Sequence, residues 1–154
     1  MAKVGRASRN ASLLRVESVS GTKTIAAAES GEVYIITAAS TITLPAAKAG
    51  AYFKFIIGAD ITSASALVIN AVANEDMAGC VRRVIEGGTG HAGDNAAAAQ
   101  AQTDDGHDKL TIGDGAAAIH PGSHVECVSD GSNWFVTGLI WSNANTAAAT
   151  FGTQ

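Results

Sequence analysis

Charge is scarce in this chain: acidic and basic residues make up 16% of its 154 residues, against about 25% in an ordinary soluble domain. The scarcity does not mean disorder, because the net charge is only −4 and β-branched residues are plentiful. Cysteine is nearly absent. Cys80 and Cys127 are too few for a disulfide scaffold, and with no export signal they are expected as reduced thiols in or near strands. No apolar run approaches the roughly 18 residues of a membrane-crossing helix, so no membrane partner is expected. The first residues lack the apolar stretch, about 7–15 residues long, of a secretory signal. No Gly-x-Ser-x-Gly elbow appears, and neither cysteine carries a local catalytic signature. A serine–histidine–aspartate triad meets only in space and leaves no trace in spacing, but nothing here favours one. The chain is expected not to be an enzyme and to take no cofactor.

Alanine, by contrast, is abundant. Of 72 hydrophobic residues, 31 are Ala; the 41 larger ones include 29 Ile, Leu or Val and eight aromatics. That supplies one modest core, in keeping with the length of one domain. A chain so short of large apolar side chains gains stability by associating with neighbours. Its small, uncharged residues suit surfaces buried between subunits. The charge that exists is uneven. Residues 1–16 carry Lys3, Arg6, Arg9 and Arg15 and no acid, for +4, while the rest of the chain sums to −8. A basic arm on an acidic body points to docking on something acidic; the plainer alternative is a solvated terminus. Four cations without interleaved aromatics make a poor nucleic-acid footprint, so nucleic acid is not the expected partner.

Apolar segments rich in Val, Ile, Thr and aromatics recur between turn signals spaced about 8–12 residues apart, the mark of an all-β sandwich or barrel. Antiparallel strands are expected at 13–19, 23–27, 32–37, 40–44, 51–57, 66–71, 81–85, 109–112, 124–128 and 133–140. Ile42 and Leu44 share one face of their segment. Phe53, Phe55 and Ile57 share a face opposite Tyr52, Lys54 and Ile56. The run Ser129-Asp130-Gly131-Ser132-Asn133 carries a hairpin signal. Residues 86–108 are low in complexity and read as a long exposed loop, in which 96–102 competes for a short helix. The expected organisation is a basic arm at 1–12, a β-domain at 13–141 and a C-terminal arm at 142–154, with Phe151 as its anchor.

Few clusters carry chemistry. The glycines of 87–93 imitate a phosphate loop, but Asp94 stands where a lysine would have to neutralise phosphate. Asp104, Asp105 and Asp108, with His107 among them, gather hard oxygen ligands suited to calcium. They lack the EF-hand spacing and its closing Glu, and a solvated acidic turn is the plainer reading, so no metal is expected. His120, His124 and Cys127 are near one another, but Pro121-Gly122 keeps the two histidines off one helical face. Trp134 and Phe135 are adjacent, so on a strand they face opposite sides. One enters the core and the other, with Trp141, is left for a neighbour. Trp134, Trp141 and Phe151 are therefore the candidates for a subunit interface.

A pattern runs through these segments: Gly31-Glu-Val-Tyr-Ile-Ile, then Ile42-Thr-Leu-Pro45, then Gly50-Ala-Tyr-Phe-Lys-Phe-Ile57, and later Ser129-Asp-Gly-Ser-Asn-Trp-Phe-Val-Thr-Gly138. It resembles a β-rich module of tailed-bacteriophage virion proteins, found in capsid decoration (cement) proteins and in fibre or spike segments. The similarity covers roughly residues 29–58 and 107–139 and excludes the loop at 86–108. The resemblance implies a structural protein on the outer capsid surface of a virion, a homotrimer whose partner is the major capsid protein. Its arm would staple capsid subunits through Lys3, Val4, Arg6, Arg9, Leu13, Leu14 and Arg15, the cations giving orientation and the apolar side chains affinity. The alternative is a fibre or spike domain that recognises host glycans, although such modules sit in far longer chains. A third reading, a small hydrolase or calcium-dependent lectin, would use the cluster at Asp104–Asp108.

Overall fold

Alternation along each segment decides which side chains turn inward, and these segments carry apolar residues on the inward parity. The computed structural model describes residues 14–72, 75–85, 100–101, 106–113, 118–142 and 149–154. Its strands are β1 (Val16–Val19), β2 (Thr22–Thr24), β3 (Val33–Ile36), β4 (Ser40–Thr43), β5 (Tyr52–Ile57), β6 (Ile61–Thr62), β7 (Leu67–Asn70), β8 (Met77–Ile85), β9 (Gln100–Ala101), β10 (Lys109–Ile112), β11 (Ala118–Ile119), β12 (His124–Ser129), β13 (Trp134–Ser142) and β14 (Ala149–Gly152). The expected all-β architecture is present. A nine-stranded sheet runs β1-β3-β5-β12-β13-β11-β6, with β8 on β13 and β9 on β8; a five-stranded sheet runs β14-β10-β7-β4-β2. They pack as a sandwich around one core. Phe53, Phe55, Tyr34, Ile36 and Trp134 from the larger sheet meet Ile42, Ile69, Leu110 and Ile112 from the smaller.

The sheets are mixed, not antiparallel as expected. β1–β3, β3–β5, β2–β4, β4–β7 and β8–β13 all pair in parallel. For the pairs among β1 to β7 the cause is that the chain from β1 to β5 alternates between the two sheets. The chain coils around the core, so each strand meets the next one in its own sheet only after a full turn and runs in the same direction. The turns after β1, β3 and β4 are corners of that coil and not hairpins. Antiparallel pairing sets in with β5–β12 and β12–β13. The β12–β13 hairpin closes at the expected loop, where the Asp130 carboxylate accepts from the backbone N–H groups of Ser132 and Asn133, at 2.8 Å each, and Gly131 takes φ +108°.

Two further expectations change. The C-terminal segment is not a free arm throughout. Its last residues form β14, which pairs antiparallel with β10 (Leu110 opposite Phe151), and Phe151 packs half-buried against the core. Strand β1 begins at Val16 and β2 ends at Thr24, after which Ala27–Glu29 makes a single 3-10 turn. Lys3, Val4, Arg6, Arg9, Leu13, Asp104, Asp105 and the glycine run at 87–93 lie outside the described residues.

Candidate interaction surface

The residues of opposite parity to the core line the outer face of the nine-stranded sheet. Strand register places them in rows. Tyr52, Val128, Phe135 and Ala78 lie side by side across β5, β12, β13 and β8. The next row holds Lys54, Glu126, Thr137 and Cys80, and the one after it Ile56, His124, Leu139 and Arg82. Trp141 and Val84 follow on β13 and β8. Large apolar side chains stay in solvent here: Val128 (42% exposed), Phe135 (42%), Trp141 (39%), Leu139 (38%) and Val84 (38%). Charge on this face comes from one pair, Lys54 Nζ to Glu126 Oε1 at 2.7 Å, and from exposed Arg82 beside Leu139. Each partner reinforces the other's ionisation: the hydrogen bond to Glu126 raises the Lys54 ammonium, and Lys54 lowers the Glu126 carboxyl. Burial and the Glu126 charge push the neighbouring Tyr52 phenol up.

The interface candidates separate on this geometry. Trp134 is corrected: it is fully buried and has no surface to offer a neighbour. Its ring lies 5.8 Å from Phe53, and its indole N–H donates to Glu75 Oε2 at 3.1 Å. Phe135, on the opposite parity, is the exposed member of the pair. Trp141 is on the outer face, its ring 4.8 Å from that of His120, whose Nδ1 lies 2.7 Å from Asp60 Oδ1. Phe151 serves the chain's own core.

A second feature sits where the basic segment joins the body. Among the described residues β1 is an edge strand paired only with β3, and Leu14, Arg15 and Val16 are exposed there. Arg15 reaches Glu32 Oε1 at 2.8 Å. Lys23 Nζ lies 2.9 Å from Glu17 and 3.1 Å from Glu29, and 5.3 Å over the Tyr34 ring. Three carboxylates within 4.8 Å of one another thus share two cations. Burial first, then these carboxylates, raise the Tyr34 phenol well above its ordinary range. Glu17, Glu29 and Glu32 meet only through the coil of β1 to β3, and their spacing gives no sign of it.

Of the metal candidates, Asp104 and Asp105 lie outside the described residues, and His124 and Cys127 point to opposite faces of the sheet. The Asp108 carboxylate accepts the backbone N–H of Gln154 at 2.7 Å and so holds the C-terminal strand. Cys127 is fully buried on the core parity, its thiol pushed up by burial, while His124 points to the outer face and its Nδ1–H donates to Gly122 O at 3.2 Å. Cys80 and Cys127 are both free and lie on opposite faces of the sheet. Glu75 is a residue the sequence did not single out. Its second oxygen accepts the Ala47 N–H at 2.7 Å, tying the loop before β5 to the core indole. Comparison of the chain with protein-family models, curated proteins and solved structures finds no match in any of the three.

Proposed function

We infer that this chain is a non-enzymatic structural protein of a phage virion. It decorates and stabilises the capsid by binding the major capsid protein lattice, and it acts as a homotrimer. The observation that carries the reading is the root of the basic segment. Leu14, Arg15 and Val16 stand exposed at the open β1 edge, where the chain leads back to Arg9, Arg6 and Lys3. Apolar and cationic side chains alternating on an uncovered edge suit an acidic, partly apolar partner surface. The resemblance of the Ile42–Pro45 and Ser129–Gly138 segments to virion modules supplies the identity of that partner.

The test mixes the purified protein with expanded empty phage heads and images them by electron cryomicroscopy. Regular density on the capsid's local symmetry axes is the expected result. Deleting residues 1–12 should abolish it while leaving the β-domain's circular dichroism and melting unchanged. Undiminished binding by the deletion rejects the arm, and binding to host envelope in place of heads turns the assignment to a receptor-binding fibre domain.

A further inference from the structure

The geometry points to the outer face of the nine-stranded sheet as the surface through which copies of this chain join, with a second copy of the same face as its occupant. A face packed on a second copy of itself makes a two-fold contact, so this interface is separate from the threefold contact of the functional reading and does not rest on it. Three observations carry it. The first is size. Six neighbouring strands at about 4.8 Å spacing and about six residues of pleat make a face roughly 25 Å by 20 Å, and side-chain relief brings this near the ~800 Å² per partner of a standard interface. Within it the exposed apolar side chains are Val84, Val128, Phe135, Leu139 and Trp141, grouped on β8, β12 and β13.

The second is composition. Phe135, Leu139 and Trp141 project from one strand, flanked by Val128 on β12 and Val84 on β8. Buried interface centres favour large aromatic anchors and disfavour isolated charge. The third is charge. Near the middle of the face, Lys54 and Glu126 are already paired at 2.7 Å. That pair carries no net charge, and exposed Arg82 beside Leu139 adds a single cation on the β8 side of the face. A second copy brings the same neutral pair, so face-to-face packing leaves neither charge unmatched.

Sedimentation of the full chain over a concentration series tests this. The wild type is expected to associate at micromolar concentration. Phe135→Glu with Leu139→Glu should weaken association by at least about 100-fold, while Thr41→Glu, on the outside of the smaller sheet, leaves it unchanged. Leu139→Ala with Trp141→Ala, which adds no charge, should weaken it in the same direction and guards against misfolding of the charged variant. A chemical readout runs in parallel: Cys80 lies on this face, so its labelling by a maleimide should slow as the protein is concentrated. A wild type that stays monomeric at about 100 µM, far above micromolar affinity, overturns the proposal, as does a concentration-dependent association that both face variants leave unchanged. A monomeric face variant that still decorates heads leaves the capsid reading standing without this interface. An oligomer that ignores heads does the reverse.

Discussion

At the scale of single residues, two carboxylates do work that their positions in the chain do not announce. Glu75 closes the polar end of a core otherwise built from apolar side chains, accepting from the Trp134 indole and from the Ala47 N–H. Glu75→Ala strands a buried indole N–H and a backbone N–H. It is expected to cost about 1–3 kcal/mol, read as a lower urea midpoint with unchanged m-value. Glu29 acts through pH. The Ala26 N–H first, and Lys23 after it, hold its carboxyl below the ordinary 4.5. Because the folded value lies below the unfolded one, this stabilisation is complete above about pH 4.5 and is lost as pH falls through the folded value. Lys23 runs the other way. Glu17 first raises its ammonium above 10.5, so its contribution is whole below that pH and is lost as pH rises through the folded value. Both are therefore intact at neutrality. Glu29→Gln should lower the neutral melting temperature and flatten its fall on acidification. An acid limb as steep as the wild type's would remove Glu29 from the account.

At the scale of elements, most strand positions were legible, β6, β9, β11 and β14 excepted, and strand partners were not. Turn signals bracket β3, β4, β5, β10 and β12 nearly where they fall, since Gly31, Pro45, Gly50 and Asp130-Gly131 interrupt apolar alternation in ways a strand cannot absorb. The same signals mark hairpin turns and coil corners alike, so nothing local distinguishes an antiparallel neighbour from a parallel one a full turn away. The outer face was half legible for a related reason. In β5 only one parity is wholly apolar, and Phe53, Phe55 and Ile57, which share it, turn inward. In β13 both parities are apolar, Trp134, Val136 and Ile140 against Phe135, Leu139 and Trp141, and burial could be assigned only by the sheet around it. β8 depends on one glycine: Gly79 sits at φ +145°, and a Cβ there would lie 1.9 Å from Val136 O, on the strand it pairs with. Gly79→Ala should cost at least about 2 kcal/mol through backbone strain and lost pairing, measured by chemical denaturation. β14 bears on the C-terminus in the same way. Phe151→Ala is expected to destabilise by about 1–2 kcal/mol, less than a fully buried Phe because its ring is only half covered. A free arm would show no change.

At the scale of the whole molecule, the two proposed surfaces obey different physics, and that difference can be measured. Docking through Lys3, Arg6, Arg9 and Arg15 is a matter of cations meeting an acidic surface in water. The screening length falls from about 10 Å at 0.1 M salt to about 3 Å at 1 M, so such contacts fade as salt is added. Self-association through Phe135, Leu139 and Trp141 is a matter of apolar area leaving water, which salt does not screen and which excluded salts strengthen. The ion pair described on that face, Lys54 with Glu126, lies within a single chain, so its screening does not oppose association. Raising sodium chloride from about 0.05 M to about 0.5 M should therefore weaken head binding by an order of magnitude or more, chiefly through slower association, while the self-association constant moves by less than about twofold. Replacing chloride with sulfate should separate the two further, tightening the oligomer while still weakening the docked state. Head binding that ignores salt would mean that the basic segment is not the docking element. An oligomer that dissolves in salt would mean that charge, not the apolar sheet face, holds the copies together.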